Sequence, residues 1–475
     1  MNIVTRVLLP VLCCLSASLV NAQLCTGSLG DPVVNITFGT GFSNGSSFVP
    51  PAAYTYTSST CPNDGFYTIT GTSVGCFSGN WHTVTNDHTG NGNFMLVNAS
   101  YQPGDFFSTT VNDLCPNTTY EFAAWIMNVL KSGGIMPDLT FRIEKPDGTI
   151  LGQYATGSIA GENSPRWLQY GFFFTTPPDN PAIRLRITNN APGGIGNDLA
   201  LDDITFRPCG PAVTASISGT TGNISTCVYD QVPVALDADP SGFYLAPDIQ
   251  WQLSTDSGNT WMNIPGANQT TYSRMASGAG HFWYRFNVAE TGSPLQCRIN
   301  SNILEFNIWP KPMVNAGPDR VVLKGDSITL MAVASTGSVF QWSPSFSLSN
   351  PQILQPKAAP LIPTTYELEV VSAEGCLNED QVKINVINDI FIPTAFTPNN
   401  DGLNDTWRIP FLDADWQPAV KIFDRAGQLI YEGKGPGISW DGRFRGVEMS
   451  AGVYTYLFTL SSPNRLRKGT ITLIR

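Results

Sequence analysis

Thr118–Leu130 reads "TTYEFAAWIMNVL". Its residues follow the period of two that a β-strand imposes, because successive side chains leave a strand on opposite faces. The same period recurs in "AIRLRIT" (182–188), "ITLMAV" (328–333) and "VYTYLFTL" (453–460). No long stretch carries a 3.6-residue helical period. The chain is therefore expected to be all-β throughout. Composition agrees: charged residues are only 13%, aromatics reach 11%, and 44 Gly and 35 Pro supply turns. That balance suits β-domains with many turns better than disorder. A chain of 475 residues has room for three or four such domains.

The net charge is −11 and the pI is near 4.7. Phosphates would be repelled, so no nucleic-acid partner is expected. The first residues, "MNIVTRVLLPVLCCLSASLVNAQLC", place Arg6 before an apolar run from Val7 to Val20 and end on Val20-Asn21-Ala22. This pattern predicts a secretory signal peptide over 1–22, cut before Gln23. The run is short for a membrane span, and none follows it in the mature chain. Gln23-Leu24 is a poor approach to a lipidated Cys25.

Ten Cys become eight once Cys13 and Cys14 leave with the signal. In an exported chain they are expected as disulfides. Cys25 and Cys209 flank the first block and could join its outer strands. Cys61 and Cys76 could close a local loop. Cys115 is then left over, so other pairings stay open. Cys227 is expected to pair with Cys297, and Cys376 to stand alone. No Cys-x-x-Cys spacing suggests zinc.

The chain breaks at "FRPCGPAV" (206–213), "IWPKPMVNAG" (308–317) and "NVINDIFIPTAF" (385–396). Each is a β-run ending in Pro or Gly, which central strands tolerate poorly. The expected domains are 23–210, 211–310, 311–388 and 389–475. The first would be a jelly-roll sandwich, the other three Ig-like β-sandwiches. "KPDGTI" (145–150) marks a hairpin in the first block.

Four resemblances sharpen this. The first block, with "ALDDI" at Ala200–Ile204, resembles the galactose-binding-type jelly rolls of carbohydrate-binding modules and MAM-like domains. The second orders Cys227, Trp251 and Cys297 as immunoglobulin-like sandwiches do, and resembles bacterial Ig-like repeats. It departs at Tyr284, which lies too far before Cys297. The third resembles PKD-type modules through "NAGPD" (315–319) and "TYELEV" (365–370). The fourth carries "FIPTAFTPNNDGLNDTW" (391–407), "VKIFDRAGQLIYEG" (420–433), "WDG" (440–442), "MSAGVYTYLF" (449–458) and "KGTITLIR" (468–475) in order. It resembles the gliding-motility-associated C-terminal domain, the type B sorting domain of the type IX secretion system in Bacteroidetes. The resemblance implies export across the outer membrane, then release or surface display, with the secretion machinery as partner. Its motif residues here are Asn399, Asp401, Gly402, Asn404, Asp405, Gly427, Trp440, Asp441, Gly442, Gly452, Lys468 and Gly469.

"TPNNDGLNDTW" (397–407) is oxygen-rich around a glycine, as calcium loops are. Counted from Asn399, the glycine falls at the fourth position rather than the sixth, and Pro410 stands where a bidentate acid belongs. A turn through Asn400-Asp401-Gly402 fits better, with Asn404 and Asp405 capping backbone N–H groups. "VYTYLFTL" alternates large residues on both sides, so both faces are expected to be covered. "NRLRKG" (464–469) concentrates cations, as a guarded edge strand or a docking surface would.

Catalysis has thin support. The only histidines are His82, His88 and His281, and no nucleophile elbow, metalloprotease helix or Walker loop occurs. "WHTVTNDHTG" (81–90) reads as an exposed polar loop. Sugar binding is the stronger expectation for the first block, by stacking on aromatic faces with polar side chains reaching hydroxyls. The candidates are Trp81, His82, Trp167 and Tyr170. Trp81 beside Asn80 is the best exposed candidate, whereas Trp125 reads as core. "NDLALDDITF" (197–206) would put Asp203 and Asp202 on opposite faces, each among apolar residues. A buried carboxylate costs several kcal/mol unless paired. Hydrogen bonds or a calcium ion would relieve it. The jelly-roll resemblance favours calcium at Asp203 or Asp202, with Asp198. The leading function is an exported, polysaccharide-binding surface protein. An adhesin binding a surface protein and a glycan-acting hydrolase are the alternatives.

Overall fold

The computed structural model describes residues 24–39, 53–90, 92–178, 182–229, 233–240, 244–336, 338–461 and 464–475. The expected signal peptide, 1–22, lies outside the described residues. Among these, every long element is a strand. The helical pieces are three short 3-10 turns, at Cys76–Gly79, Leu295–Cys297 and Ala414–Trp416. The fold is a multi-domain array of β-sandwiches. The chain divides into two compact units. The first holds the described residues of Met1–Ile224, Val232–Met275 and His281–Asn307. The second holds those of Ser225–Gln231, Ala276–Gly280 and Ile308–Arg475.

The first unit begins with a two-sheet sandwich. One sheet runs Leu168–Thr175, Thr119–Asn128, Leu199–Gly210, Phe94–Val97, Phe66–Thr70, Thr55–Tyr56. The other runs Gly104–Val111, Ile183–Asn189, Asp138–Glu144, Ile150–Ser158. Alternation explains the core between them. Along Thr119–Asn128, the side chains of Tyr120, Phe122, Ala124 and Ile126 enter the core, where Phe122 packs 5.2 Å from Phe141 and 5.4 Å from Phe206. The opposite face of that strand, with Trp125 and Met127, is the one that matters for the site.

A second sandwich in this unit pairs Gly280–Glu290 with Pro247–Ser254, and carries a sheet of Thr214–Ile217, Val234–Asp239 and Thr271–Arg274. Trp251 is fully buried in it, its indole donating to Gln269 O at 3.0 Å. The disulfides Cys25–Cys209 and Cys61–Cys76 are present. The other two correct the expected pairing. Cys297 joins Cys115, and Cys227 joins Cys376, so neither Cys115 nor Cys376 is free. The reason is local. Cys297 sits in the Leu295–Cys297 turn, outside any strand, and its side chain packs into the core cluster of the first sandwich.

In the second unit, Arg320–Leu323, Leu377–Ile387, Thr364–Val371 and Val339–Ser343 form one sheet over Trp342, Tyr366 and Leu368. The C-terminal sheet runs Ala395–Phe396, Asn464–Leu473, Gly452–Ser461, Ala419–Phe423, Leu429–Lys434. Its core gathers Trp407, Trp440, Ile422, Phe458 and Ile471, together with Leu323 from the preceding sheet. The expectation that both faces of "VYTYLFTL" are covered is corrected. Tyr454, Phe458 and Leu460 are buried while Val453 is exposed, as in an antiparallel sheet with one solvated face.

Candidate functional site

The site candidate grows from a break in one strand. Along Leu199–Gly210 the pairing register shifts between Asp202 and Thr205, and Asp203 takes φ of 43°. Such a bulge re-aims side chains. Leu201 and Ile204 both reach the inner core. Asp202 and Asp203 both reach His88, which corrects the expectation of one carboxylate per face. His88 N donates to Asp202 Oδ2 at 2.9 Å, and His88 Nδ1 donates to Asp203 Oδ2 at 2.7 Å. The imidazole lies flat on Trp125, centroids 3.7 Å apart and planes 18° apart. Trp167 meets it edge-on at 6.4 Å. Trp125 is thus not inner core but half-buried on the outer face, in register with Gln169 and Asp202. Asp87 holds the His88 turn by accepting from Thr89 Oγ1 at 2.8 Å and from Gly90 N at 2.5 Å.

The other sugar-site expectations fare differently. Trp81 is only 3% exposed. Its loop folds back onto the sheet, where the ring packs with Phe94, Leu96, Met127 and Leu130. Its indole donates to Asp198 Oδ2 at 3.1 Å. His82 is buried with it, with Nε2 3.0 Å from Glu162 O, and burial lowers its pKa. So "WHTVTNDHTG" is not an exposed loop, and Trp81 and His82 do not line an open groove. Tyr170 packs against the inner core, and burial raises its pKa. Of the four residues, Trp167 alone stays beside the outer cluster. The signal that sequence reading lacked was the pairing of His88 with Asp203, because 115 positions separate them.

The expected calcium set does not assemble either. Asp198 spends its oxygens on Trp81 and on Ala99 N at 3.2 Å. Asp203 pairs with His88. Among the described residues, no three His, Cys, Asp or Glu side chains converge as metal ligands. One feature does fit a cation: Asp202 is 0% exposed and its Oδ1 has no partner. Burial pushes the carboxyls of Asp198 and Asp202 each up to about 7. A buried acceptor with nothing to accept from is costly.

The C-terminal motif is a turn network. Asp405 accepts from Asn400 N at 2.6 Å and Gly402 N at 2.8 Å, and Asp401 accepts from Leu403 N at 2.8 Å. Asn399 Nδ2 donates to Asp401 Oδ2 at 2.9 Å. Asn400, Gly402 and Asn404 all have positive φ. Trp407 pairs with Trp440 across a short antiparallel bridge, and Trp440 donates to Arg443 O at 3.0 Å. Asp441 accepts from Arg443 N at 3.0 Å. At Gly442, with φ of 76°, a Cβ would come within 2.9 Å of Leu473. A Cβ at Gly469 would collide with the Tyr456 hydroxyl at 2.6 Å and with its ring at 2.8 Å. Gly427 closes the hairpin turn at positive φ. Gly452 opens its strand opposite Leu473, and Lys468 lies opposite Leu457. A cavity of about 390 Å³ opens beside the motif, lined by Phe391, Asn404, Trp407 and Arg408 among others.

Comparison with known proteins gives two family matches. Residues 390–473 match the CHU_C type IX secretion signal domain. Residues 217–309 match a domain of unknown function, DUF8696. The search of curated proteins found no match. Similar solved structures include an apo form cyclase from Fischerella sp., at 14% identity over 40% of this chain and 96% of that one, with TM-score 0.28. The CBM22-1 xylan-binding domain from Paenibacillus barcinonensis is 12% identical, over 39% and 99%, with TM-score 0.23. Sidekick-1 immunoglobulin domains 1–4 are 11% identical, over 79% and 99%, with TM-score 0.17. At these scores none bears on function. The secretion-signal match indicates cargo of the type IX machinery, a secreted or cell-surface protein. No helix among the described residues is long and apolar enough to cross a membrane.

Proposed function

We propose that this is an exported binding protein that recognises polysaccharide on the outer face of its N-terminal sandwich. The observation that carries the reading is the His88 ring stacked on Trp125, anchored by Asp203 and flanked by Trp167. Fixed, half-exposed rings offer C–H faces of a pyranose a stacking surface at little entropic cost. The second ring nitrogen of His88 and the exposed Gln169 would read hydroxyls. The test is a glycan array with the wild type and with Trp167→Ala. Binding to a polysaccharide that falls about ten-fold or more in the variant supports the reading. A blank array, or binding that ignores the substitution, overturns it. The second reading is an adhesin for a surface protein. It is favoured by Phe173, which is exposed two strand positions beyond Gly171 on the Gln169 face.

In this reading the modules at 211–310 and 311–388, Ig-like and PKD-like, act as spacers, and 389–475 is the segment the secretion machinery reads. Deleting 389–475 is expected to trap the protein in the periplasm; surface-exposed truncated protein would refute the assignment. Calcium is proposed only through Asp202, whose partnerless Oδ1 would accept it.

A further inference from the structure

The second sandwich of the first unit carries a pocket of about 100 Å³ lined by Asp31, Gln252, Asn263, Asn287, Arg298 and Asn300, with Leu295 and Gln296 at its rim. Its charges cancel. Arg285 forms a two-pronged pair with Asp31 at 2.7 and 2.6 Å, and its guanidinium lies 4.3 Å over Trp261. Arg298 pairs with Asp248 and donates to Asn287 Oδ1 at 2.9 Å, while its buried Nε has no partner among the described residues. An anion would find no free guanidinium charge here.

Amide groups remain. Asn287 is 4% exposed, and its Nδ2 has no partner among the described residues. Asn300 is 9% exposed; its Nδ2 donates to Asp31 Oδ1 at 3.1 Å while its Oδ1 has no partner among the described residues. Asn263 Oδ1 accepts from Gln252 Nε2 at 2.8 Å, and Asn263 Nδ2 has no partner among the described residues. Two amide donors and an amide acceptor therefore line one pocket, beside the Arg285–Asp31 and Arg298–Asp248 ion pairs. Amides of both kinds match hydroxyls, each of which donates and accepts. None of these three amide atoms is sealed from solvent, so a ligand hydroxyl would replace a water at each of them. The volume equals that of roughly three waters in the liquid, enough for the hydroxyl-bearing edge of one sugar ring. Leu295, exposed and among the lining residues, offers an apolar contact for the rest of the ring.

We propose that this amide pocket is a second recognition site, taking a terminal glycosyl residue of a neutral glycan through its hydroxyls. It does not rest on the His88 reading. The test uses the full mature chain with D-glucose, D-galactose, D-mannose and D-xylose as probes, followed by saturation-transfer NMR titration. Saturable binding of at least one probe is expected, weakened about ten-fold or more by Asn263→Ala and by Asn287→Ala. Asn263 is exposed, so Asn263→Ala decides the matter even if Asn287→Ala fails to fold. No saturable binding by any probe would show that the pocket holds water only. Binding lost with Trp167→Ala but kept in Asn263→Ala would assign the sugar to His88 and overturn the proposal.

Discussion

Two pairs of aspartates invite comparison. In the first unit Asp202 and Asp203 face His88; in the second, Asp413 and Asp415 face Arg320. Asp202 and Asp413 are both buried, yet their carboxyls move in opposite directions. Burial pushes Asp202 up to about 7, and the backbone N–H of His88 offsets only part of that. Burial would also raise Asp413, but the Arg320 guanidinium, at 2.7 and 2.6 Å, and Asp415 N hold it below the usual value. Burial sets the size of the cost, and a permanent, two-pronged charge sets its sign.

The comparison breaks most visibly at Arg320. Arg320→Ala leaves Asp413 buried and unpaired, and is expected to cost the second unit about 3–5 kcal/mol in denaturant unfolding. A loss below about 1 kcal/mol would mean the pair is not what stabilises that carboxylate.

Acid and base should act oppositely on the two units. Asp198 and Asp202 are raised in the folded state, so the native chain binds more protons than the unfolded chain between the ordinary carboxylate range and pH 7. Their contribution is present below the unfolded pKa and is lost as pH rises toward about 7. The slope approaches about 1.4 kcal/mol per pH unit for each group. Asp202→Asn should remove one group's share and stabilise the first unit at pH 8. Asp413 is lowered, so its contribution is present above the unfolded pKa and is lost as pH falls through the folded one. Calorimetric melts from pH 3 to 8 would read both slopes; parallel slopes in the two transitions would contradict the contrast.

A smaller effect concerns calcium. If Asp202 accepts a cation, millimolar calcium at pH 8 raises the first-unit melt in the wild type and not in Asp202→Asn. Equal melts with calcium and with chelator would retire the ion. The smallest effect is expected at Asp415, which is 66% exposed. Asp415→Ala should stay within about 0.5 kcal/mol, since exposed ion pairs contribute little.

Part of the fold and of the motif is legible in the amino-acid order. "TYEFAAWIM" announces a strand because its period matches the pleat, and "NNDG" announces a turn because Gly402 and its neighbours tolerate positive φ. Local steric rules suffice for both. Trp81 misleads because a polar neighbourhood in sequence resembles exposure. Its actual surroundings come from the Phe94–Val97 and Thr119–Asn128 strands. Alternation misleads at Asp202 and Asp203 because one bulge shifts every later side chain.

The sequence alone determined the all-β character, the turn at Gly402 and the C-terminal export signature, since each depends on residues close together along the chain. The tertiary structure decided that Cys115 meets Cys297, that Cys227 meets Cys376, that His88 sits between Asp203 and Trp125, and that Asn287 and Asn300 share a pocket with Asp31. Those partners come from segments tens to hundreds of residues apart. Their meeting is set by which sheets close over a common core, and no local pattern encodes that.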